Sequence, residues 1–381
     1  MKSVLICRCV CKHWNSLISD PNFAKMLFTH TATSTLIRDS ESTTFHLLEY
    51  DLIEWHDRRR SNKPFCCRVY NALKPNLSSS RKITKLDPKF KVPLETGYIK
   101  PSNSCNGLLY VRSTNIGTSL VCNPITGEFI RLPKAPPIMK PCQKICYGFG
   151  FHQKTSQYKI VRIQTIKHSD DLHDDGGMIV EMHIVGTSTW INIEVIDYPK
   201  NSTFLSYNSS YFNGALHWIG IDADDYASIW CFNFDTERFQ SFPMPVIDAD
   251  TRYSLFEFRG SLCVMFCNKN VATMWMMEKY GIGESWVCIF NISVRPVSDY
   301  DHLFFHPPHT NSKIITSRSH GSIFYLDRGN KEFKFFYAFW FAYTFEAIRH
   351  VPSLISLKDV IIGDNVEVLS VYSFDKRDRG F

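Results

Sequence analysis

Between residues 106 and 336 the sequence repeats itself. The segment "NGLLYV…VCNPITGEFIRLP" at 106–133 is matched by "NGALHW…CFNFDTERFQSFP" at 213–243. Asn106-Gly107 aligns with Asn213-Gly214, Thr126-Gly-Glu-Phe129 with Thr236-Glu-Arg-Phe239, and Leu132-Pro133 with Phe242-Pro243. Weaker copies run over 259–277 and 320–336, and a further unit fills 147–193. Each opens on a glycine-led small-residue turn, runs through two short apolar strands and ends in a polar turn that tolerates unusual dihedrals. The spacing averages close to the ~50 residues of a propeller blade.

One such unit cannot bury both of its faces, whereas a closed ring of them can. The chain after about residue 33 therefore reads as mainly β, a propeller of about six blades. These lie near 33–100, 101–141, 142–200, 201–250, 251–300 and 301–342. The runs "SLVCNP", "YKIVRI", "VEMHIV", "SIWCFNF", "SLCVMFC" and "SIFYLD", separated by Gly, Asn, Asp and Pro, support short antiparallel strands. Aromatic residues make up 14% of the chain and suit half-buried pleated surfaces. The ring is expected to close when "LISLKDVIIG" or "VEVLSVYSF" returns to pair with the first blade.

The front of the chain follows a different period. Val10, Cys11, Trp14, Leu17 and Ile18 recur at i, i+1, i+4, i+7 and i+8, one apolar stripe of a helix. Pro21 disfavours helical geometry at Asp20, which ends that helix. Asp20 can cap a second helix with Pro21 at its first position and Phe23, Met26 and Leu27 on its apolar face. Two short helices bury little alone, so they must lean on another element. The expected division is a helical unit at 1–30 and a β unit at 33–375.

Charge is uneven. Residues 1–100 hold 17 Lys+Arg against 9 Asp+Glu, and the remainder 26 against 28. The large β unit is near neutral and has no overall electrostatic reason to seek nucleic acid. The 13 cysteines are odd in number and sit mostly in apolar runs, as small buried hydrophobes do. "SVLIC" is broken at Arg8 and lacks the long apolar region of a secretory signal. No apolar stretch reaches membrane-spanning length. A reducing cytosol or nucleus is the expected compartment.

Several clusters invite chemistry and have a plainer reading. "KHSDDLHDDGG" at 167–177 places His168 and His173 among four Asp, a possible divalent site. Its spacing is loose, and a solvated hairpin loop suits it better. Cys142 and Cys146, like Cys263 and Cys267, stand four apart, where strand residues share one face and pack; zinc ribbons favour a C-x₂-C spacing. No G-x-S-x-G elbow, phosphate-binding loop or H-E-x-x-H occurs. "YGFGF" and "YGIGE" read as turns. No metal or cofactor is expected.

Taken in order, these segments resemble a known family. "KSVLICRCVCKHWNSLISDPNFAKMLF" is similar to the second half of an F-box, as found in large plant families. "GLLYV…VCNPITGEFIRLP", "YGFGFHQKTSQYKIVRI", "GALHW…CFNFDTERFQSFP" and "LFEFRGSLCVMFC…MWMMEKYGIGESW" resemble the kelch-like F-box-associated domain. The resemblance implies a non-catalytic substrate-recognition subunit of an SCF-type cullin–RING ubiquitin ligase. Its F-box would dock on a Skp-type adaptor joined to the cullin, and its propeller would bind the protein to be ubiquitinated. The adaptor-facing candidates are Leu5, Val10, Cys11, Trp14, Leu17 and Ile18. The family's first F-box helix has no counterpart after Met1, so a free protein-binding propeller is the alternative. The target-binding surface is expected on one rim of the ring, where inter-strand loops converge, and the loops 168–175 and 222–226 are candidates by length and polarity.

Overall fold

The computed structural model describes residues 4, 7–31, 34–39, 44–49, 84–85, 90–91, 99–113, 117–138, 142–166, 177–194, 203–204, 209–221, 226–245, 252–258, 260–267, 271–293, 304–306, 313–318, 322–327, 332–337, 345–361, 363 and 367–371. Among the described residues, two helices lead into six antiparallel sheets. Helix α1 spans Lys12–Ile18 and α2 spans Pro21–His30. The boundary falls where expected. Asp20 is the N-cap of α2, its Oδ1 accepting from the amides of Asn22 at 2.7 Å and Phe23 at 3.4 Å.

The first sheet holds β1 (Ser34–Asp39), β2 (Thr44–Glu49), β3 (Thr84–Lys85) and β4 (Phe90–Lys91). The second holds β5 (Ile99–Cys105), β6 (Leu108–Ser113), β7 (Ser119–Asn123) and β8 (Glu128–Arg131). The third holds β9 (Cys142–His152), β10 (Gln157–Ile166), β11 (Gly177–Ile184) and β12 (Trp190–Ile193). The fourth holds β13 (Thr203–Phe204), β14 (Ser210–Phe212), β15 (Ala215–Ile221), β16 (Ala227–Asn233) and β17 (Arg238–Pro243). The fifth runs β18 (Arg252–Phe258), β19 (Ser261–Cys267), β20 (Val271–Met277) and β21 (Trp286–Ser293). The sixth runs β22 (Phe304–His306), β23 (Lys313–Arg318), β24 (Ser322–Asp327) and β25 (Glu332–Tyr337).

Each sheet touches the next mainly through its inner strands, and the series closes on itself through β26 (Phe345–His350). This is a propeller of six blades, as the repeat period implies. The closing segment differs from expectation. β26 pairs antiparallel with β1, from Ser34↔His350 to Asp39↔Phe345. Pro352 has no amide to continue the ladder, so the chain leaves the sheet there. "LISLKDVIIG" then forms a helical turn, α3 (Leu357–Val360), and "VEVLSVYSF" contributes β27 (Leu369–Ser370), which pairs with β8 of the second blade.

The repeated turns share one geometry. Asn106 and Gly107 both have positive φ (49° and 79°), as do Asn213 and Gly214 (48° and 72°), matching the twist of a two-residue hairpin. In the second repeated turn, Asn123 Oδ1 accepts from the amides of Ile125 and Thr126, and Asn233 Oδ1 from those of Asp235 and Thr236. "YGIGE" is a turn, with Gly281 at φ 83°. "YGFGF" is not: Gly148 and Gly150 lie inside β9. A Cβ on Gly148 would come within 2.6 Å of Leu216 Cδ1, and one on Gly150 within 2.6 Å of Tyr211 Cδ2. The glycines are there because the fourth blade approaches this strand too closely for a side chain.

Apolar cores fill the wedges between blades. Leu109, Val111, Leu120, Cys122 and Phe129 sit on one face of the second blade with Leu36 of the first. Leu108, Tyr110 and Val121 sit on its other face with Phe149, Tyr158 and Ile160 of the third. Asn103 of β5 both donates to Phe149 O and accepts from Phe149 N, so its side chain bridges the two inner strands.

Candidate functional site

The two helices carry a face that the propeller does not cover. Cys11 caps α1, its Sγ accepting from the Trp14 amide at 3.5 Å, and Arg8 Nη2 donates to Ser19 Oγ at 2.8 Å. The first contact caps the start of α1, and the second ties the residues before it to the residue at its end. On the inner side, Ile18 and Ala24 are buried in the core shared with the second blade, and Phe23, Leu27 and Phe28 pack against it. On the outer side, Val10 is 66% exposed, Trp14 48%, Leu17 49% and Met26 57%. Four of the nine exposed large hydrophobic residues among those described thus fall between residues 10 and 26. Such clustering marks an interaction surface more than scattered apolar exposure does.

The six residues expected to face a partner therefore divide. Val10, Cys11, Trp14 and Leu17 are exposed together. Ile18 is not available, because it is 3% exposed and packs inward. A seven-residue helix resting on a blade must turn one side of its stripe to that blade, and Ile18 lies on that side. Leu5 lies outside the described residues. Met26, expected on the apolar face of the second helix with Phe23 and Leu27, belongs to the exposed group instead. It stands off the line of Phe23, Ala24 and Leu27, an offset that the 3.6-residue period would have shown.

A C-terminal strap joins these helices to the ring. After β26 the chain crosses the second blade at the end carrying its 106–107 and 123–127 turns. Asn123, fully buried, donates to Ser353 O at 3.0 Å and Ile355 O at 2.8 Å. Glu128 accepts from Ser356 Oγ at 2.9 Å and from the Leu357 amide at 2.8 Å. A Cβ on Gly107 would stand 2.2 Å from Ser353 Cβ, so glycine lets the strap lie flat. Leu354 and Ile355 join the core that holds Ile18 and Ala24. The anchors Asn123 and Glu128 belong to the repeated turn, and sequence alone shows them only as turn residues.

The remaining polar groups tie strands within a blade or one blade to the next. Arg162 and Glu181 form a buried pair, with Gln164 donating to Glu181 at 3.0 Å and Arg162 donating to Pro136 O at 2.8 Å. His152 and Lys154 of the third blade pair with Asp235 of the fourth at 2.8 and 2.9 Å. Buried His217 lies 2.8 Å from the Tyr280 hydroxyl, and burial pulls its pKa down to about 4. Burial likewise pushes the thiols of Cys146 and Cys263 up to about 12, so neither is a ready thiolate ligand. Among the described residues no cluster of three His, Cys, Asp or Glu could hold a metal, and no helix is long and apolar enough to cross a membrane. The 168–175 loop and residues 222–225 lie outside the described residues; Tyr226 beside them is 72% exposed.

Comparison with known proteins agrees with this layout. Residues 62–344 match the F-box associated beta propeller domain, and residues 1–26 match the F-box domain. The F-box/kelch-repeat protein At3g23880 of Arabidopsis thaliana is 24% identical, the alignment covering 80% of each chain. F-box protein At3g07870 of the same plant is 23% identical over 73% of this chain, which spans 65% of that protein's length. F-box protein CPR1, also from Arabidopsis thaliana, is 25% identical over 60% of this chain and 61% of its own. A solved fungal lectin from Aleuria aurantia, a six-bladed β-propeller, shares 8% identity over 62% of this chain and 76% of its own. Its TM-score of 0.36 is too low to carry an argument.

Proposed function

The chain belongs to the F-box associated β-propeller family, and on that premise we propose that it is the substrate-recognition subunit of an SCF-type cullin–RING ubiquitin ligase. In this reading the helices dock on a Skp-type adaptor and the propeller holds the protein to be ubiquitinated. The subunit performs no bond chemistry of its own. The observation that carries the reading is the exposed group of Val10, Trp14, Leu17 and Met26 on the helices that match the F-box. Aromatic and aliphatic anchors of this kind concentrate binding energy at interfaces. The strap supports it further, because a receptor that presents a target must keep a fixed geometry between its two contacts. We place the protein in the cytosol or nucleus, where its cysteines would stay reduced.

The test is co-expression of the full chain with a Skp-type adaptor, followed by affinity capture. The wild-type chain should retain the adaptor, and the double variant Trp14→Ala/Leu17→Ala should weaken retention by tenfold or more without altering the melting curve. A wild-type chain that captures no adaptor, or a double variant that captures it equally well, would sink the reading. The first outcome would favour a free protein-binding propeller.

A further inference from the structure

The sequence repeat between the second and fourth blades is also a repeat of shape. Asn123 stands opposite Glu128 in its ladder, and Asn233 opposite Arg238. The Gly127 amide donates to Asn123 O and the Glu237 amide to Asn233 O, both at 2.9 Å, with Gly127 and Glu237 both at positive φ (76° and 53°). Each asparagine turns its Oδ1 to the amides two and three residues on. With Oδ1 fixed in the same way, Nδ2 leaves the turn in the same direction in both blades.

On the second blade these turns seat an extended backbone. Asn123 Nδ2 donates to two carbonyls on one edge of the strap, Ser353 O and Ile355 O. Glu128 accepts from Ser356 Oγ and the Leu357 amide. Gly107 lets the strap pass. On the fourth blade the matching turns face solvent: Asn213, Asp235, Thr236 and Arg238 are exposed, and no atom lies within 4 Å of a Cβ added to Gly214. Among the described residues nothing accepts from Asn233 Nδ2. Asp235 pairs with Lys154 and Glu237 with Lys159, whereas among the described residues no carboxylate pairs with Arg238. The far end of the seat differs. Leu357 packs with Leu108, Tyr110 and Leu132, while on the fourth blade Tyr280 packs against Phe212, His217 and Phe242.

One seat shape with opposite charge at one position selects occupants of opposite chemistry there. We propose that the fourth-blade turns bind an extended segment of a partner protein with an acidic residue three beyond its first bonded carbonyl. Two carbonyls of that segment, two residues apart, accept from Asn233 Nδ2, as those of the strap do from Asn123. The acidic side chain stands where Ser356 stands in the strap and meets Arg238, whose planar fork matches a carboxylate. Tyr280 closes the far end, so the segment needs no counterpart of Leu357. The proposal rests on the reading of the propeller as the target-binding unit and names the target's chemistry.

The experiment titrates labelled hexapeptides into the full chain without adaptor and follows fluorescence polarisation, so its failure is separate from a failure of adaptor docking. The probes are PSLISL, the strap's own residues 352–357, and the same peptide with Ser356→Glu. The tethered strap holds the second-blade seat at high effective concentration, so the free peptides report on the fourth blade. Wild type should bind the glutamate peptide about tenfold or more tighter than the serine peptide. Arg238→Glu, which gives the fourth blade the charge of the second, should reverse that preference. Gly214→Ala, which sets a methyl group where the segment must pass, should weaken binding of the glutamate peptide by about tenfold. Arg131→Gln, at an exposed arginine of the second blade, should change nothing. No binding of the glutamate peptide to wild type, equal affinities for the two peptides, or an unchanged preference in Arg238→Glu overturns the proposal. If Arg238→Glu does not fold, full-strength binding of the glutamate peptide to Gly214→Ala overturns it instead.

Discussion

The second blade and the leading helices treat apolar side chains in opposite ways. In β6 and β7, Leu108, Leu109, Val111, Leu120, Val121 and Cys122 are wholly inaccessible, although neighbouring residues point to opposite sides of the sheet. Both sides are inside, because every blade is sandwiched between two others. A helix of seven residues has only one side to bury, and α1 spends it on Ile18. Val10, Trp14 and Leu17 are left facing out. Stability therefore resides in the ring, while capacity to adhere resides in the helices. Substitutions should separate the two properties.

The largest effect is expected at Gly150. Valine there suits a strand by propensity, yet its Cβ would meet Tyr211 at 2.6 Å and Phe234 at 2.7 Å. Overpacking against ring carbons in a closed interface should lower stability by about 3 kcal/mol or prevent folding. Gly214→Ala provides the contrast. No atom lies within 4 Å of its added Cβ, so only the positive φ of 72° is strained, at a cost of about 1 kcal/mol. Urea unfolding of both variants decides the matter. Equal losses would show that backbone conformation, not the approach of the fourth blade, sets the need for glycine in β9.

A smaller effect is expected from pH, and it too should belong to the ring. His217 sits among Phe212, Phe242 and Tyr280, with Nδ1 against Ser210 O at 3.2 Å and Nε2 against the Tyr280 hydroxyl. Its folded pKa of about 4 lies below the ordinary value of 6.5 because burial penalises the charged ring. Between these values the unfolded chain binds the extra proton, so stability is full above pH 6.5 and declines as pH falls toward 4. His350, drawn down to about 3 by the same cause, adds to the decline. At pH 5 the loss from His217 is about 2 kcal/mol. His217→Gln should flatten that part of the stability–pH curve; an unchanged slope would show that the ring is not buried in solution.

What could be read beforehand follows the same division. The Asp20-Pro21 junction, the turns at Asn123 and Asn233 and the six-fold repeat are local patterns, and each acts through residues adjacent in the chain. Gly148 and Gly150 read as a turn in the sequence, whereas their reason lies in Leu216 and Tyr211, more than sixty residues away. Hydrophobicity points to the segments beyond residue 353 for the closing strand. The register with β1 went instead to "FEAIRH", whose value as a strand depends on the blade that it completes. Of the adaptor-facing stripe, helical period found the residues but could not say which side the second blade would take.

The smallest expected effects lie in the helices, and they sharpen the comparison most. Asp20→Ala removes the side chain that caps the Asn22 and Phe23 amides. It should cost about 1 kcal/mol, confined to α2. Trp14→Ala and Leu17→Ala remove far more apolar surface, yet each side chain is half exposed where it stands. Global stability should therefore shift by no more than about 0.5 kcal/mol. Hydrogen exchange in the free protein should show faster amide exchange in α2 for Asp20→Ala and no change in the propeller for any of the three. A loss of several kcal/mol at Trp14 would mean that this ring packs on the blade as Ile18 does, and the helices would then have no free apolar face to offer a partner.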